Sequence, residues 1–166
     1  MPIRVGMVSL GCSKNLGDSE RMLAKLRAHG YQLVTEPGEA EIAIVNTCGF
    51  IESAKSEAID NILELAALKG NGVTEKLLVT GCLPQRYQSE ILEEMPEVDG
   101  VLGTGSYTDI VPAIQAVLEG DQPTFFGDID HTVEDGARVS ATPPYSAYLK
   151  IAEGCDNHCA YCIIPT

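Results

Sequence analysis

Six cysteines carry the most specific chemistry in this 166-residue sequence, and they fall into two groups. Cys12, Cys48 and Cys82 are spread along the chain, whereas the other three stand close together near its end in the spacing C-x3-C-x2-C. The sequence shows no basic leader followed by an apolar stretch and a cleavage site, so we expect a cytoplasmic location. Because that compartment keeps thiols reduced, we expect metal ligands rather than disulfides.

The three widely spaced cysteines each follow a largely apolar run that predicts a β-strand. These runs cover residues 3–10, 41–47 and 76–80. In an open parallel sheet the carboxyl ends of the strands form one edge, where such folds bind ligands, so we expect Cys12, Cys48 and Cys82 to meet in space. Gly11 and Gly81 allow sharp turns beside two of them. The predicted helices that follow favour thiolate by placing partly positive N-termini beside the thiols, which lowers their pKa.

A single cysteine at the end of a strand is usually an inert, buried thiol, but three in equivalent positions favour a shared metal site. Three thiolates suit a four-iron cluster that keeps one iron open, whereas a structural zinc site usually closes four ligands around the ion. The sequence leaves both metals open. It also leaves open a domain that docks a substrate without ligating any metal.

The second group lies in a loop and consists of Cys155, Cys159 and Cys162. With the aromatic Tyr161 before its third cysteine, this loop resembles the cluster loop of radical-SAM enzymes. That resemblance implies a [4Fe-4S] cluster whose free iron binds S-adenosylmethionine. The alternative is a zinc knuckle completed by His158, although a histidine between two ligands is more typical of an exposed residue. His29 and His131 are likewise interpreted as surface residues.

Strand and helix patterns alternate along the first 120 residues. Further strands are predicted over residues 31–34 and 98–102, and helices between 18 and 30 and over 53–69, 84–95 and 107–119. Strands without a polar face imply a mainly parallel sheet covered on both sides. We therefore predict an α/β, five-stranded, Rossmann- or flavodoxin-like fold. The link over 34–42 is too short for a helical crossover, which leaves a single helical turn or an antiparallel edge strand.

The sequence predicts the ends of the first helix and the inward face of the second. The first has Asp18 or Ser19 as its candidate N-cap and ends at Gly30. The second is predicted to turn one face inward. That face comprises Ala54, Ala58, Ile59, Ile62 and either Leu65 or Ala66.

The chain is predicted to divide into a domain at 1–120, a linker at 121–144 and the truncated start of a second domain at 145–166. The linker lacks periodicity, contains three prolines and carries a charged stretch. Residues 148–152 predict one more strand, which leads into the second cysteine group. By the resemblance to radical-SAM enzymes, residues 145–166 are the stub of a radical-SAM barrel.

The composition is that of a globular protein, with 45% hydrophobic and 21% charged residues and a net charge of −13. Such acidity disfavours non-specific binding to nucleic acid, which depends on Lys and Arg. A basic protein partner fits better, although acidity alone also keeps a protein soluble. No apolar run reaches the length of a membrane span.

Motifs around the first three cysteines resemble those of the methylthiotransferase family, and the resemblance runs from Ile3 to the end of the chain. The matching residues are Ser9-Leu10-Gly11-Cys12-Ser13-Lys14-Asn15 with Asp18-Ser19-Glu20, then Asn46-Thr47-Cys48-Gly49-Phe50-Ile51, then Thr80-Gly81-Cys82-Leu83. The tRNA-modifying branch usually has Gln-Met-Asn after the first cysteine and Ser-Val-Arg after the second. This sequence is more similar to the RimO-type, ribosomal-protein branch. Ser13 departs from the proline common in that branch, and Asp156-Asn157 from its frequent Asn-His.

The resemblance implies a radical-SAM enzyme with two [4Fe-4S] clusters that methylthiolates the β-carbon of an aspartate in a basic, small-subunit ribosomal protein. The auxiliary cluster, whose open iron carries the sulfur, would be held by Cys12, Cys48 and Cys82. The radical-generating cluster would be held by Cys155, Cys159 and Cys162. Tyr161 would lie near the adenine of S-adenosylmethionine.

The ribosome and an electron donor protein are the further partners that the resemblance implies, and no membrane is expected. The chain stops shortly after Cys162, so we expect this piece alone to be inactive. Two alternatives are kept: a tRNA adenosine methylthiotransferase, and a non-catalytic docking or metal-binding module.

Overall fold

The computed structural model describes residues 1–70, 72–129, 136–152 and 154–162. Within these ranges the strands are β1 (Arg4–Ser9), β2 (Gln32–Val34), β3 (Ile42–Thr47), β4 (Lys76–Gly81), β5 (Gly100–Gly103) and β6 (Thr124–Phe125). The helices are α1 (Ser13–Ala28), α2 (Glu52–Lys69), α3 (Cys82–Tyr87), α4 (Glu90–Glu94) and α5 (Ile110–Glu119), with 3₁₀ turns at Pro37–Glu39 and Thr104–Asp109.

The six strands form one sheet in the order β2-β1-β3-β4-β5-β6, and every neighbouring pair is parallel. The order of the first five is that of flavodoxin-like doubly wound sheets. The predicted α/β class with a mainly parallel sheet is thus confirmed. The link between β2 and β3 is the 3₁₀ turn Pro37–Glu39, which is the single helical turn that was one of the two alternatives. The other alternative, an antiparallel edge strand, is wrong because β2 pairs in parallel with β1.

Helices cover both faces of the sheet because its buried strands have no polar face. On β3, Ile42 and Ile44 pack on the side of α1 and α5. Ala43 and Val45 pack on the opposite side, against α2, α3 and α4. Alternate side chains of one strand therefore enter two separate cores, as expected for a parallel sheet.

Two strand predictions differ from the structure. The sheet has six strands rather than five, because β6 lies within the segment predicted as a linker and pairs with β5. Two residues are too few to show a periodic pattern. The strand predicted over 148–152 is wrong, since these residues form no strand. Its apolar pattern has no neighbouring strand to pair with among the described residues.

The helix predicted over 107–119 begins only at Ile110, after a 3₁₀ turn, and two other helices differ more from the predictions. α1 begins at Ser13 with Cys12 as its N-cap, so Asp18 and Ser19 are not caps but buried residues inside the helix. The short polar side chain of Ser19 serves a tertiary contact, because its hydroxyl donates to Ser9 Oγ at 2.9 Å. The helix predicted over 84–95 is two helices, α3 and α4, since Gln88 between them has a φ of 46°.

No helix within the described ranges is both long and apolar enough to cross a membrane. On α2 the buried residues are Ala58, Ile62 and Leu65, which agrees with the predicted face. Ile59 is 39% exposed, so its predicted inward position is wrong.

We predict that Ile62→Ala lowers the free energy of unfolding by about 2–5 kcal/mol, because it leaves a cavity at a fully buried position. Ile59→Ala on the same helix is the matched control, and it is expected to lower the free energy of unfolding by no more than about 0.5 kcal/mol. Urea unfolding of both variants measures the difference. Equal losses would contradict the assignment of the buried face.

Candidate metal centre

Each of three adjacent strands is followed by one cysteine at the carboxyl edge of the sheet. β3 lies between β1 and β4, and Thr47 pairs with Gly81 at the ends of β3 and β4. Cys48 and Cys82 are the next residues on those two strands, so they leave the sheet at the same height. Cys12 follows the end of β1 and begins α1 as its N-cap.

The three thiols meet at this edge, as predicted. The Sγ atoms of Cys12 and Cys82 each lie 3.8 Å from Oδ1 of Asn15, so they are no further apart than twice that distance. A Cβ atom built on Gly11 would lie 2.7 Å from Cβ of Cys48 and 3.4 Å from its Sγ, which places Cys48 directly beside the loop of Cys12. Cys12 is exposed and the other two are half-buried.

Glycine is required at two turns of this edge. Gly11 and Gly81 have backbone φ values of 98° and 102°, a region that residues other than glycine rarely adopt. A Cβ on Gly81 would also collide with the backbone oxygen of Thr47 and with Oδ1 of Asn46. The predicted role of both glycines, to let the chain turn tightly beside the cysteines, agrees with this geometry.

A buried asparagine, for which no role was predicted, connects the three cysteine loops. Asn15 is 1% exposed, and its Nδ2 donates to the backbone oxygens of Thr47 at 2.7 Å and Leu10 at 3.3 Å. Its Oδ1 accepts from two of the thiols. Asn46 completes the connection by donating to the backbone oxygen of Asn15 at 2.8 Å. The available signal was the position of Asn15 in the first helical turn after Cys12.

Burial raises the pKa of the Cys82 thiol above its usual value. The positive charge of Lys14 opposes this shift, the negative charges of Cys48 and Cys12 add to it, and a backbone hydrogen bond from Gly49 opposes it. The prediction that a helix N-terminus lowers the pKa of each thiol is therefore wrong for Cys82, because desolvation of the thiolate outweighs the other contributions.

The donor set at this edge fits an iron-sulfur cluster in its chemistry. Thiolates are soft ligands that select zinc or iron-sulfur clusters over hard cations. No three His, Cys, Asp or Glu side chains in the part of the chain that the structure describes are arranged to hold a single metal ion. A four-iron cluster makes a different demand, since each thiolate binds its own iron. The ligand role of Cys12, Cys48 and Cys82 stays a prediction.

The second cysteine group lies in an irregular segment. The backbone N–H of Cys162 donates to the oxygen of Cys159 at 3.0 Å, which closes a turn, and Nδ2 of Asn157 lies 3.4 Å from Sγ of Cys155. Cys155 and Cys159 are exposed and Cys162 is half-buried. Tyr161 is 92% exposed. The ligand role of these cysteines and the role of Tyr161 are predictions that this geometry does not test.

Two of the three histidines lie within the described residues. His29 and His158 are exposed, in agreement with their predicted surface positions. Nδ1 of His29 lies 2.9 Å from the backbone oxygen of Lys25 in the preceding helical turn. His131 lies outside the described residues.

The fold and site together define an α/β domain that gathers three thiols at the carboxyl edge of a flavodoxin-like sheet. Residues 4–103 match the model of a family described as uncharacterized protein family UPF0004, and the chain belongs to that family.

Curated relatives extend this similarity over nearly the whole chain. The chain is 52% identical, over 99% of its length, to ribosomal protein uS12 methylthiotransferase RimO of Pelotomaculum thermopropionicum. It is 51% identical over 98% to RimO of Lachnoclostridium phytofermentans and 50% over 98% to RimO of Geobacter sulfurreducens. The chain covers 37% of each of these relatives, so it spans little more than a third of their length. The predicted resemblance to the RimO-type methylthiotransferases is confirmed.

We predict that Asn15→Ala destabilises the chain by about 1–3 kcal/mol, because buried carbonyl groups lose their donor. It should also reduce the iron bound at this edge after anaerobic reconstitution, because the three loops lose their common contact. Urea unfolding and iron analysis measure the two effects.

The matched control is Asn61→Ala, which removes an asparagine side chain whose Nδ2 bonds only within α2, to the backbone oxygen of Glu57, among the contacts described. It should change the free energy of unfolding by no more than about 0.5 kcal/mol. If Asn15→Ala costs no more than this control, the buried amide does not hold the loops together.

Proposed function

We propose that this chain is the sulfur-donating part of a RimO-type methylthiotransferase, which transfers a methylthio group to the β-carbon of an aspartate in ribosomal protein uS12. The proposal is carried by the meeting of Cys12, Cys48 and Cys82 at one edge of the sheet. It is supported by the identity of about half of all residues with proteins named as uS12 methylthiotransferases.

Two cofactor sites follow from this proposal. One [4Fe-4S] cluster would be held by Cys12, Cys48 and Cys82, and a second by Cys155, Cys159 and Cys162. When bound, the first supplies an open iron for the sulfur that is donated, and the second supplies the electron that cleaves S-adenosylmethionine. Tyr161 would lie beside the adenine of that cofactor.

The residues around Cys12 leave room for a substrate side chain. Cys12 is the exposed thiol of its group, and it opens onto a cavity of about 320 Å³. The cavity is also lined by Ser9, Gly11, Ser13, Leu16 and Tyr148. This volume is at the lower end of the range for ligand pockets, which suits one amino-acid side chain better than a nucleotide. Asn15 holds the loops below it, and Gly11 keeps the backbone close to the thiols.

The charge of the chain fits a basic substrate. At a net charge of −13 it would attract a positively charged ribosomal protein, and complementary charge accelerates encounter. The same charge would repel the phosphates of free tRNA. The expected partners are the ribosome and the electron donor protein that radical-SAM chemistry requires. Both are cytoplasmic, so we propose that this protein is cytoplasmic as well.

Exposed apolar side chains in the last two described ranges, 136–152 and 154–162, support the proposal that another part of a larger protein covers them. These are Tyr145, Leu149, Ile151 and Tyr161, each more than four-fifths exposed. Large exposed apolar side chains are often found where another domain or partner makes contact. In the complete protein we expect the radical-SAM domain to pack over these side chains.

We predict that Cys48→Ala in the full-length protein removes half of the bound iron and sulfide after anaerobic reconstitution, because one of two clusters loses a ligand. Methylthio transfer should then be lost. The matched control is Cys155→Ala, which should remove the other half, and the double variant should bind almost none. Iron content unchanged in Cys48→Ala would contradict a cluster at the sheet edge.

Substrate choice is tested by incubating the full-length protein with S-adenosylmethionine, a reductant and either uS12 or tRNA. Mass spectrometry should show one methylthio group added to an aspartate of uS12. Modification of tRNA alone would instead support the tRNA-modifying branch. Transfer to neither substrate, with both clusters present, would favour a docking or metal-binding module.

A further inference from the structure

Two buried carboxylates on α1 lie outside the candidate metal centre. The side chains of Asp18 and Glu20 are 6% and 7% exposed. Carboxylates are almost never buried unless they are paired, because removing the charge from water is costly. Their partners come largely from residues 138–150, which follow the sheet in the chain.

Asp18 binds a lysine that arrives from this later segment. Nζ of Lys150 lies 3.0 Å from Oδ1 of Asp18, and the Lys150 side chain is only 11% exposed. The same ammonium group lies 5.2 Å from the centre of the Tyr107 ring, a cation-π distance. The other oxygen of Asp18 lies 3.2 Å from Nζ of Lys14, one turn earlier on α1.

Glu20 binds the same segment at three points. Its Oε1 accepts the backbone N–H of Ala141 at 2.8 Å, and its backbone oxygen accepts the N–H of Val139 at 3.0 Å. Nη1 of Arg138 lies 3.9 Å from Oε2 of Glu20 and also donates to the backbone oxygen of Tyr148 at 2.8 Å. The segment is thus fixed near both of its ends.

Polar contacts rather than apolar packing hold the segment in place. A cavity of about 220 Å³ remains between the start of α1 and residues 148–152. Leu149 and Ile151 line this cavity and are 83% and 89% exposed, so they bury little apolar surface. Charge pairs and hydrogen bonds must therefore supply most of the attachment, and losing the carboxylates should release the segment.

We propose that Asp18 and Glu20 are positioning residues that anchor residues 138–150 to α1. We call Asp18, Glu20, Arg138 and Lys150 the α1 latch. α1 begins directly after Cys12, and Lys150 lies shortly before Cys155, so the latch joins the two cysteine groups through one helix. The inference rests on the proposed function, because this joint would set the distance between the sites of sulfur donation and radical formation.

The experiment compares the full-length protein with a double variant, Asp18→Asn and Glu20→Gln. A second double variant, Arg138→Met and Lys150→Met, alters the other side of the latch and leaves α1 unchanged. The matched control is Glu57→Gln with Asp60→Asn, which removes two exposed carboxylates from α2. Hydrogen exchange at the amides of residues 139 and 141 reports on the latch without depending on activity.

Both latch variants should exchange these amides at least about tenfold faster, the factor expected from losing a charge-assisted hydrogen bond. Iron content should match the parent. The amount of 5′-deoxyadenosine formed per methylthio group transferred should rise by about tenfold, because radical formation is no longer coupled to sulfur transfer. The control should show neither change.

Unchanged exchange in both latch variants would overturn the anchor. Faster exchange with an unchanged ratio of 5′-deoxyadenosine to product would overturn the positioning role while leaving the proposed function intact. A parent protein that binds both clusters but transfers no methylthio group would instead overturn the proposed function. The amide exchange rates would then still test whether the latch anchors residues 138–150 to α1.

Discussion

The parallel register of β1, β3 and β4 is the constraint on which the candidate metal centre depends. Pairing of Ser9 with Asn46, and of Asn46 with Thr80, aligns the ends of the three strands in one row. A shift of one residue in any strand would reverse which side chains enter which core, and the fully buried β3 does not tolerate this. The apolar packing of the two cores therefore fixes the height at which each cysteine leaves the sheet.

Buried polar side chains add specificity at that edge. Asn46 and Thr47 lie at the end of a strand whose other residues are apolar, and both are satisfied. Nδ2 of Asn46 donates to Ser19 Oγ at 2.9 Å, and Oγ1 of Thr47 donates to the backbone oxygen of Thr80 at 2.7 Å. Because an unsatisfied buried polar group costs stability, these bonds favour one arrangement of the loops over others.

The sequence was sufficient to predict the sheet edge but not the contacts that complete it. Apolar runs before Cys12, Cys48 and Cys82 predict strands, and the geometry of parallel sheets then predicts their convergence. The N-cap of α1 was misplaced because Asp18 and Ser19 resemble caps, whereas their side chains bind partners distant in sequence. Such partners follow from packing and leave no local pattern. The pKa of Cys82 was mispredicted for the same reason, since burial is a tertiary property.

Two successive turns at the start of α1 make different contacts, and Lys14 interacts with groups near both. The first turn carries Asn15 against the thiols, and the next carries Asp18 and Glu20 against the later segment. Lys14 lies 3.2 Å from Asp18 and lowers the pKa of Cys82 through its charge, although burial outweighs it. The charge of one ammonium group thus acts on both the Cys82 thiol at the sheet edge and the Asp18 carboxylate of the latch. In a chain with 24 acidic and only 11 basic residues, one of the few cations therefore lies between the sheet edge and the latch.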